Sequence, residues 1–323
     1  MLILSGLLFT ILIALAASAI HIIYPPISAV LIAVLAGMCL KNITGVPASF
    51  QPGVRFAAKR VLEGAIILLG ARLSFADLAN LGGQTLLIVT ICIVIALVLT
   101  SFMSKLLRLP PRLGTLIAVG TAICGNSAAI ATAGAINAED DEIGFAVCTI
   151  TLFGVVAILI YPVIGTLLAL EDPFFGTWAG TAINDTAQVV TAGFIYSETA
   201  GEISTVVKLT RNLFIAPVVF FFSLLYARGR AKTQKTNYVQ LFPWFILGFL
   251  FMAAARTLGL FTDPVVLALN RVSGLMITTA VAGIGLNIDF SAMKNIGLKS
   301  LYMGLLASSM MGFISYFLIR YLL

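Results

Sequence analysis

The sequence predicts an all-α polytopic membrane protein of about 11 spans, with internal repeats and discontinuous helices. Three observations carry that prediction. Of 323 residues, 60% are apolar and only 10% are charged, against roughly half and about a quarter in a soluble domain. The apolar residues gather in stretches that approach the roughly 20 residues a bilayer requires. Positive charge collects in alternate connections between those stretches. So little polar surface cannot coat a water-soluble globule, which excludes soluble enzymes, nucleic-acid binders and disordered chains. The net charge of +6 is then a topology signal and not a mark of nucleic acid.

In chain order the spans are expected near 2–20, 24–40, 57–76, 83–104, 114–136, 144–170, 174–197, 204–227, 240–258, 264–288 and 299–322. The first carries Ala17-Ser18-Ala19, which resembles a leader cleavage site. It lacks the basic region such leaders use and is read as a span. The second connection holds Lys41, Arg55, Lys59 and Arg60, and the fourth holds Lys105, Arg108 and Arg112. The eighth holds Arg228, Arg230, Lys232 and Lys235, and the tenth Lys294 and Lys299. Odd-numbered connections hold Asp77, the run Glu139-Asp140-Asp141-Glu142, and Glu198 with Glu202. The positive-inside rule puts the even connections in the cytoplasm of a plasma-membrane protein, the N-terminus inside and the C-terminus outside. Acidic Glu171-Asp172 in the sixth connection is the exception. No connection is long enough for a soluble domain, so residues 1–323 are read as one membrane domain.

Two repeats appear. The segment 70–82 recurs as 285–297, with Gly70, Phe75, Asn80 and Gly82 matching Gly285, Phe290, Asn295 and Gly297. An odd number of spans separates the copies, which inverts one relative to the other. The second pair is tighter: Gly120-Thr121-Ala122-Ile123 recurs as Gly180-Thr181-Ala182-Ile183, opening polar stretches 120–136 and 180–196. Plain counting leaves these two copies parallel, unless 114–136 or 174–197 is re-entrant or broken.

The second pair concentrates polarity inside spans, where an unpaired polar group costs free energy. Thr121, Cys124, Gly125, Asn126 and Ser127 face the comparable set Thr181, Asn184, Asp185, Thr186 and Gln188. Glycines alone would serve helix packing equally well, but packing needs no carboxylate. A helix that breaks there frees backbone groups to line a cavity. Lys208 and Arg211 lie three apart on one helix face and, with Asp185, leave a net positive centre suited to an anion. An Asp185–Arg211 ion pair that only locks two helices is the plainer reading, and Lys208 could snorkel outward. Asp185 is the natural proton or sodium handle, with a Na⁺ position expected near Asn126 and Asp185. Arg72, Arg256, Arg271 and Asp289 read as interfacial, and Glu63 as a partner for the neighbouring cations.

Other chemistry is poorly supplied. Cys39, Cys92, Cys124 and Cys148 are scattered, and His21 is the only histidine, so no disulfide framework, zinc site or haem is expected. There is no phosphate-binding loop and no protease motif, hence no enzyme.

The run 120–129, the run 180–190 and the segment Lys208-Leu209-Thr210-Arg211-Asn212 resemble the YeiH-type sulfate exporter family of bacterial membrane proteins. The resemblance implies kinship with the cation:proton antiporter/anion transporter superfamily, which includes bile-acid-type symporters, with inverted repeats, crossed discontinuous helices and elevator-like motion. It also implies a secondary transporter exporting a small anion such as sulfate, sulfite or an organosulfonate, coupled to H⁺ or Na⁺. A coupled carboxylate symporter is the alternative within that class. An ion channel, or a passive subunit of a larger complex, is the alternative outside it. The partners expected are the anion and the lipid bilayer, with a homodimer left open.

Overall fold

The computed structural model describes residues 2–25, 27–72, 75–227, 244–293 and 297–322, except for the side chains of 2, 75–82, 84, 227, 292 and 293. Arg228, Arg230, Lys232, Lys235, Lys294 and Asn295, and the side chains of Asp77 and Asn80, lie outside the described residues. Every regular element among the described residues is helical. Six are long and apolar enough to cross a membrane: Ile3–Ile23, Thr85–Leu106, Asp140–Leu167, Glu198–Tyr226, Asp263–Asn287 and Leu298–Leu322. Two expected spans form shorter apolar helices, Ala29–Ile43 and Phe245–Thr257. The three remaining stretches, 57–76, 114–136 and 174–197, are interrupted by a π turn or by breaks in the helix.

The chain forms two compact units. The first comprises Met1–Gly82, Phe194–Glu202 and Trp244–Ser291. It holds α1 (Leu2–Ile23), α2 (Ala29–Ile43), α3 (Gln51–Phe56), a π turn (Ala57–Val61) and α4 (Leu62–Leu69). Its long helix Asp263–Asn287 packs on α1, α2, α4 and the π turn. The contact is made by small and branched residues, with Ala17, Ala33, Val54 and Ala282 fully or almost fully buried. Between membrane helices dispersion does this work, because lipid is as apolar as leucine. Gly285 shows why size matters: a Cβ there would run into the Val34 carbonyl of α2. Its repeat partner Gly70 is equally confined, against the Phe249 carbonyl.

Ion pairs close the edges of this unit. Lys41 pairs with Asp289 at 3.1 Å, and Arg60 with Glu63 at 2.8 Å. Arg72 pairs with Glu202 and, at 3.3 Å, with Glu198. Arg256 reaches Asp263 at 3.6 Å.

The second unit comprises Gly83–Gly193, Ile203–Pro243 and Ala292–Leu323. Its elements include α5 (Phe75–Leu106, entering from the first unit), α6 (Pro111–Ala122), α7 (Asn126–Ile136) and α8 (Asp140–Leu167). After them come α9 (Asp172–Ala182), α10 (Thr186–Tyr196), α11 (Glu198–Asn212) and α12 (Ile215–Ala227). With α13 (Phe245–Thr257), α14 (Asp263–Asn287) and α15 (Phe290–Met293) in sequence between them, the last helix is α16 (Leu298–Leu322).

One ion pair fixes the path of α6 and α7. Arg112, at the start of α6, lies 3.8 Å from Glu139, just past the end of α7. A straight course would hold those residues about 40 Å apart at 1.5 Å per residue. The chain therefore enters, breaks at 123–125 and returns to the same end, with both arms packed on α8. Arms of 12 and 11 residues are about 16–18 Å long, roughly half the 30 Å of a hydrocarbon core.

Helices α9 and α10 do the same from the opposite end. α8 and α16 run side by side in one direction, since a Cβ on Gly304 would meet Phe153 and one on Gly312 would meet Tyr161. α9 descends along α16: Phe174 packs edge-on against Tyr316 at 5.2 Å, and Trp178 Nε1 donates to the Gly312 carbonyl at 2.8 Å. Asn184 Nδ2 then donates to Ser308 Oγ at 3.4 Å, near the middle of α16. The α12 end sits beside the α6 start, where Tyr226 Oη lies 2.9 Å from Thr115 Oγ1. The span Glu198–Tyr226, built from α11 and α12 with a turn at 213–214 between them, thus runs toward the end where α6 enters, and α10 returns toward the end where α9 enters. Within the second unit, α6–α7 and α9–α10 are thus two broken-helix hairpins that enter from opposite ends.

Candidate functional site

The two hairpin tips meet. Gly125 has φ 66° and ψ −130°, a backbone open to glycine and costly for any other residue. A Cβ on Gly125 would also lie 3.0 Å from Asp185 Cβ and Oδ2. The motif thus supplies its glycine where the tips touch.

Each tip exposes a helix C-terminus, with unpaired carbonyls, and a helix N-terminus, with unpaired amides. Lys208 and Arg211, both fully buried, serve the C-termini. Lys208 Nζ donates to the carbonyls of Ile123 (2.7 Å), Ile183 (3.0 Å) and Asn184 (2.5 Å), which engages all three of its donors. Arg211 Nε donates to Ala122 O at 2.7 Å, Nη1 to Ile183 O at 3.0 Å and Gly180 O at 3.4 Å, and Nη2 to Thr121 O. The expectation of two cations facing an open chamber therefore differs from what is found. The orphan carbonyls at the ends of α6 and α9, reinforced by the helix dipoles, draw both side chains inward. Lys208 does not snorkel.

The N-termini are treated unequally. Asp185 caps α10, its Oδ1 accepting from Ala187 N at 3.0 Å, while Gln188 Oε1 accepts from Asp185 N at 3.1 Å. α7 has no side-chain cap. Beside that uncapped end lie half-buried Asn126 and exposed Ser127. The carboxylate of Asp185 acts electrostatically on Lys208, so the centre gathers two cations and one anion around four helix ends.

Three amide oxygens here are buried without a partner: Asn126 Oδ1, Asn184 Oδ1 and Asn212 Oδ1. Their nitrogens are engaged, by Thr151 Oγ1 at 2.9 Å, Ser308 Oγ, and Thr186 Oγ1 at 3.2 Å. An orphaned buried acceptor costs about 1–3 kcal/mol, and such oxygens next to a carboxylate are the donor type that hard cations take. Among the described residues no group of three His, Cys, Asp or Glu could hold a metal.

The remaining residues of the polar motifs divide. Thr121 contributes its carbonyl and Cys124 is buried at the first tip. Thr181 spends its hydroxyl on Thr177 O of its own helix at 2.7 Å. Gln188 reaches Thr151 O at 3.5 Å as well as Asp185 N, and fills the groove left by Gly154, where a Cβ would strike its amide. Thr151 on α8 therefore touches both hairpins, yet it was not singled out from the sequence, and neither was Ser308.

Comparisons with known proteins give one consistent result. A protein-family model described as Conserved hypothetical protein 698 matches residues 5–304. A UPF0324 membrane protein of Clostridium tetani is 33% identical over 327 residues, covering 96% of this chain and 95% of that protein. One from Bradyrhizobium diazoefficiens is 37% identical over 276 residues, covering 85% of this chain and 78% of that protein. One from Streptococcus agalactiae is 34% identical over 308 residues, covering 93% and 91%. No solved structure matches the chain.

Proposed function

From the premise that this chain belongs to the Conserved hypothetical protein 698 family of multi-pass membrane proteins, we propose that it is a secondary transporter of a small anion. The observation carrying this reading is the meeting of two opposed hairpin tips at Gly125 and Asp185. Helix ends carry about half a unit charge each, so two C-termini and two N-termini cancel. Lys208, Arg211 and Asp185 then leave about one positive charge, which an organosulfonate would neutralise by itself and a sulfate or sulfite dianion together with one Na⁺. The uncapped N-terminus of α7, with Asn126 and Ser127, offers amide and hydroxyl donors to that anion. Thr121, Cys124, Thr181, Thr186 and Gln188 support the two tips. Lys208 and Arg211 act on the anion through the field and not by contact.

Asp185 is the coupling group. The orphan oxygens of Asn126 and Asn184 beside it favour Na⁺ over H⁺ as its partner. The two hairpin-plus-span modules of the second unit make an inverted repeat, as coupled transporters use. With the basic connections in the cytoplasm, α8 runs outward and Glu171-Asp172 falls outside, while the acidic run Glu139-Asp140-Asp141-Glu142 moves to the cytoplasmic side beside Arg112. This orientation puts the N-terminus inside and the C-terminus outside.

The test is flux in proteoliposomes of purified protein, using labelled sulfate, sulfite and isethionate against imposed Na⁺ and pH gradients. Saturable uptake that follows one gradient and is lost in Asp185→Asn is the expected result. Unsaturable, gradient-independent conductance would identify a channel and defeat the proposal.

A further inference from the structure

The offset that relates Gly120-Thr121-Ala122-Ile123 to Gly180-Thr181-Ala182-Ile183 also relates the spans that follow the hairpins. It sets Thr151 of α8 against Arg211 of α11. The two residues do matching work on opposite halves of the hairpins. Arg211 holds the arms that run into the tips: it donates to Thr121 and Ala122 at the end of α6, and to Gly180 and Ile183 at the end of α9. Thr151 holds the arms that leave the tips. Its Oγ1 accepts from Asn126 Nδ2 at the start of α7 at 2.9 Å, and its carbonyl accepts from Gln188 Nε2 in the first turn of α10 at 3.5 Å.

The two brackets differ in grip. Arg211 is fully buried and sets a planar, rigid fork against its carbonyls. Thr151 is half-buried and makes one bond of ordinary length and one longer than usual. The Gln188 amide is placed by two further features. Its Oε1 accepts from Asp185 N at 3.1 Å, and it lies over Gly154, one turn beyond Thr151. A continuous path therefore runs from Asp185 through Gln188 and Thr151 to Asn126. It joins the carboxylate at one tip to the uncapped helix start at the other.

We propose that Thr151 is a positioning residue through which the cation at Asp185 and the anion at Asn126 and Ser127 sense each other. This rests on the proposed function and names how its two ligands communicate. A cation settling on the Asp185 carboxylate shifts the turn that Gln188 shares with it, and Thr151 passes the shift to the Asn126 side chain. Such chains of hydrogen bonds carry coupling between sites when they have two arrangements. Arg211 keeps the other two arms fixed, so the movement is confined to the arms that meet the ligands.

Linkage makes the role measurable, because each ligand must tighten the other by the same factor, commonly about 5- to 150-fold. Binding of labelled sulfate, sulfite and isethionate to the full-length protein in detergent is followed by equilibrium dialysis, at saturating Na⁺ and with K⁺ in its place. The parent is expected to bind the anion it carries at least about fivefold tighter in Na⁺. Thr151→Val removes the hydroxyl and keeps the branched shape; it should bring that ratio to about one, read on folded protein whatever the change in melting temperature. Thr151→Ala should do the same, and Thr151→Ser should restore the parent's ratio. A role in packing alone would weaken the anion equally in both salts and leave the ratio untouched. An unchanged ratio in Thr151→Val and Thr151→Ala, or a ratio lost equally in Thr151→Ser, would overturn the role of Thr151 and leave the transporter reading standing. A parent that binds none of the three anions, or binds them alike in both salts, would overturn the Na⁺-coupled reading and this role with it.

Discussion

Lys208 and Arg211 each answer a structural need before any functional one. A buried charge held by good partners can be close to neutral for stability, whereas removing one side of such an arrangement costs about 3–5 kcal/mol. Arg211→Gln leaves the carbonyls of Thr121, Ala122, Gly180 and Ile183 short of donors. It is expected to lower the melting temperature of the detergent-solubilised protein sharply, as is Lys208→Met. A variant that melts like the parent would show that these carbonyls find other donors. At this scale the sequence was informative where polarity stood out against apolar surroundings, as at Asn126, Asp185 and Gln188. It was silent on Thr151 and Ser308. A hydroxyl in a long helix ordinarily bonds its own preceding turn, as Thr149 does to Phe145 O at 2.7 Å, so nothing in the string marks the one that reaches across.

The interrupted helices matter at the next scale. Hydropathy windows count composition, not direction, so 114–136 and 174–197 read as ordinary spans although each turns back on itself. The clue was present in the repeat, whose copies could not both be spans without lying parallel, but only the 3.8 Å approach of Arg112 to Glu139 shows which way the chain goes. Glycine substitutions separate tip from arm. Gly125→Ala must hold a left-handed backbone and press on Asp185, and is expected to abolish flux and reduce the yield of folded protein. Gly134→Ala sits in the α7 arm, where a Cβ meets nothing within 4 Å. It should be neutral or stabilising by up to about 1 kcal/mol. Thermal unfolding of both variants distinguishes the two cases, and equal effects would refute the special geometry assigned to the tip.

Across the whole molecule, the sequence disclosed the class of fold and most of the long helices, because apolar length is a direct requirement of the bilayer. Division into two units escaped it, since both units are built from discontinuous segments and no linker marks the boundary. The 70–82 and 285–297 copies lie mainly in the first unit and the paired hairpins in the second, so the two repeats belong to different bodies. Arg72 ties the short segment Phe194–Glu202 into the first unit through Glu198 and Glu202. Arg72→Ala is expected to lower the melting temperature modestly at low salt, by an amount equivalent to about 1 kcal/mol or less. The difference should shrink at high ionic strength as screening weakens the parent's pairs. A salt-independent loss would mean that packing, not charge, holds the segment.

Hairpins that stop halfway set where the membrane voltage is felt. In the proposed transporter, arms of about 16–18 Å carry Asp185 and Gly125 about halfway across the insulating layer. A unit charge crossing the full layer exchanges about 2.3 kcal/mol per 100 mV, so one crossing half of it exchanges about 1 kcal/mol. Turnover that carries uncompensated charge past that point should change several-fold when a potassium diffusion potential is set with valinomycin, and reversing the polarity should reverse the change. Flux indifferent to polarity would mean that anion and cation pass this depth together, as an electrically silent pair.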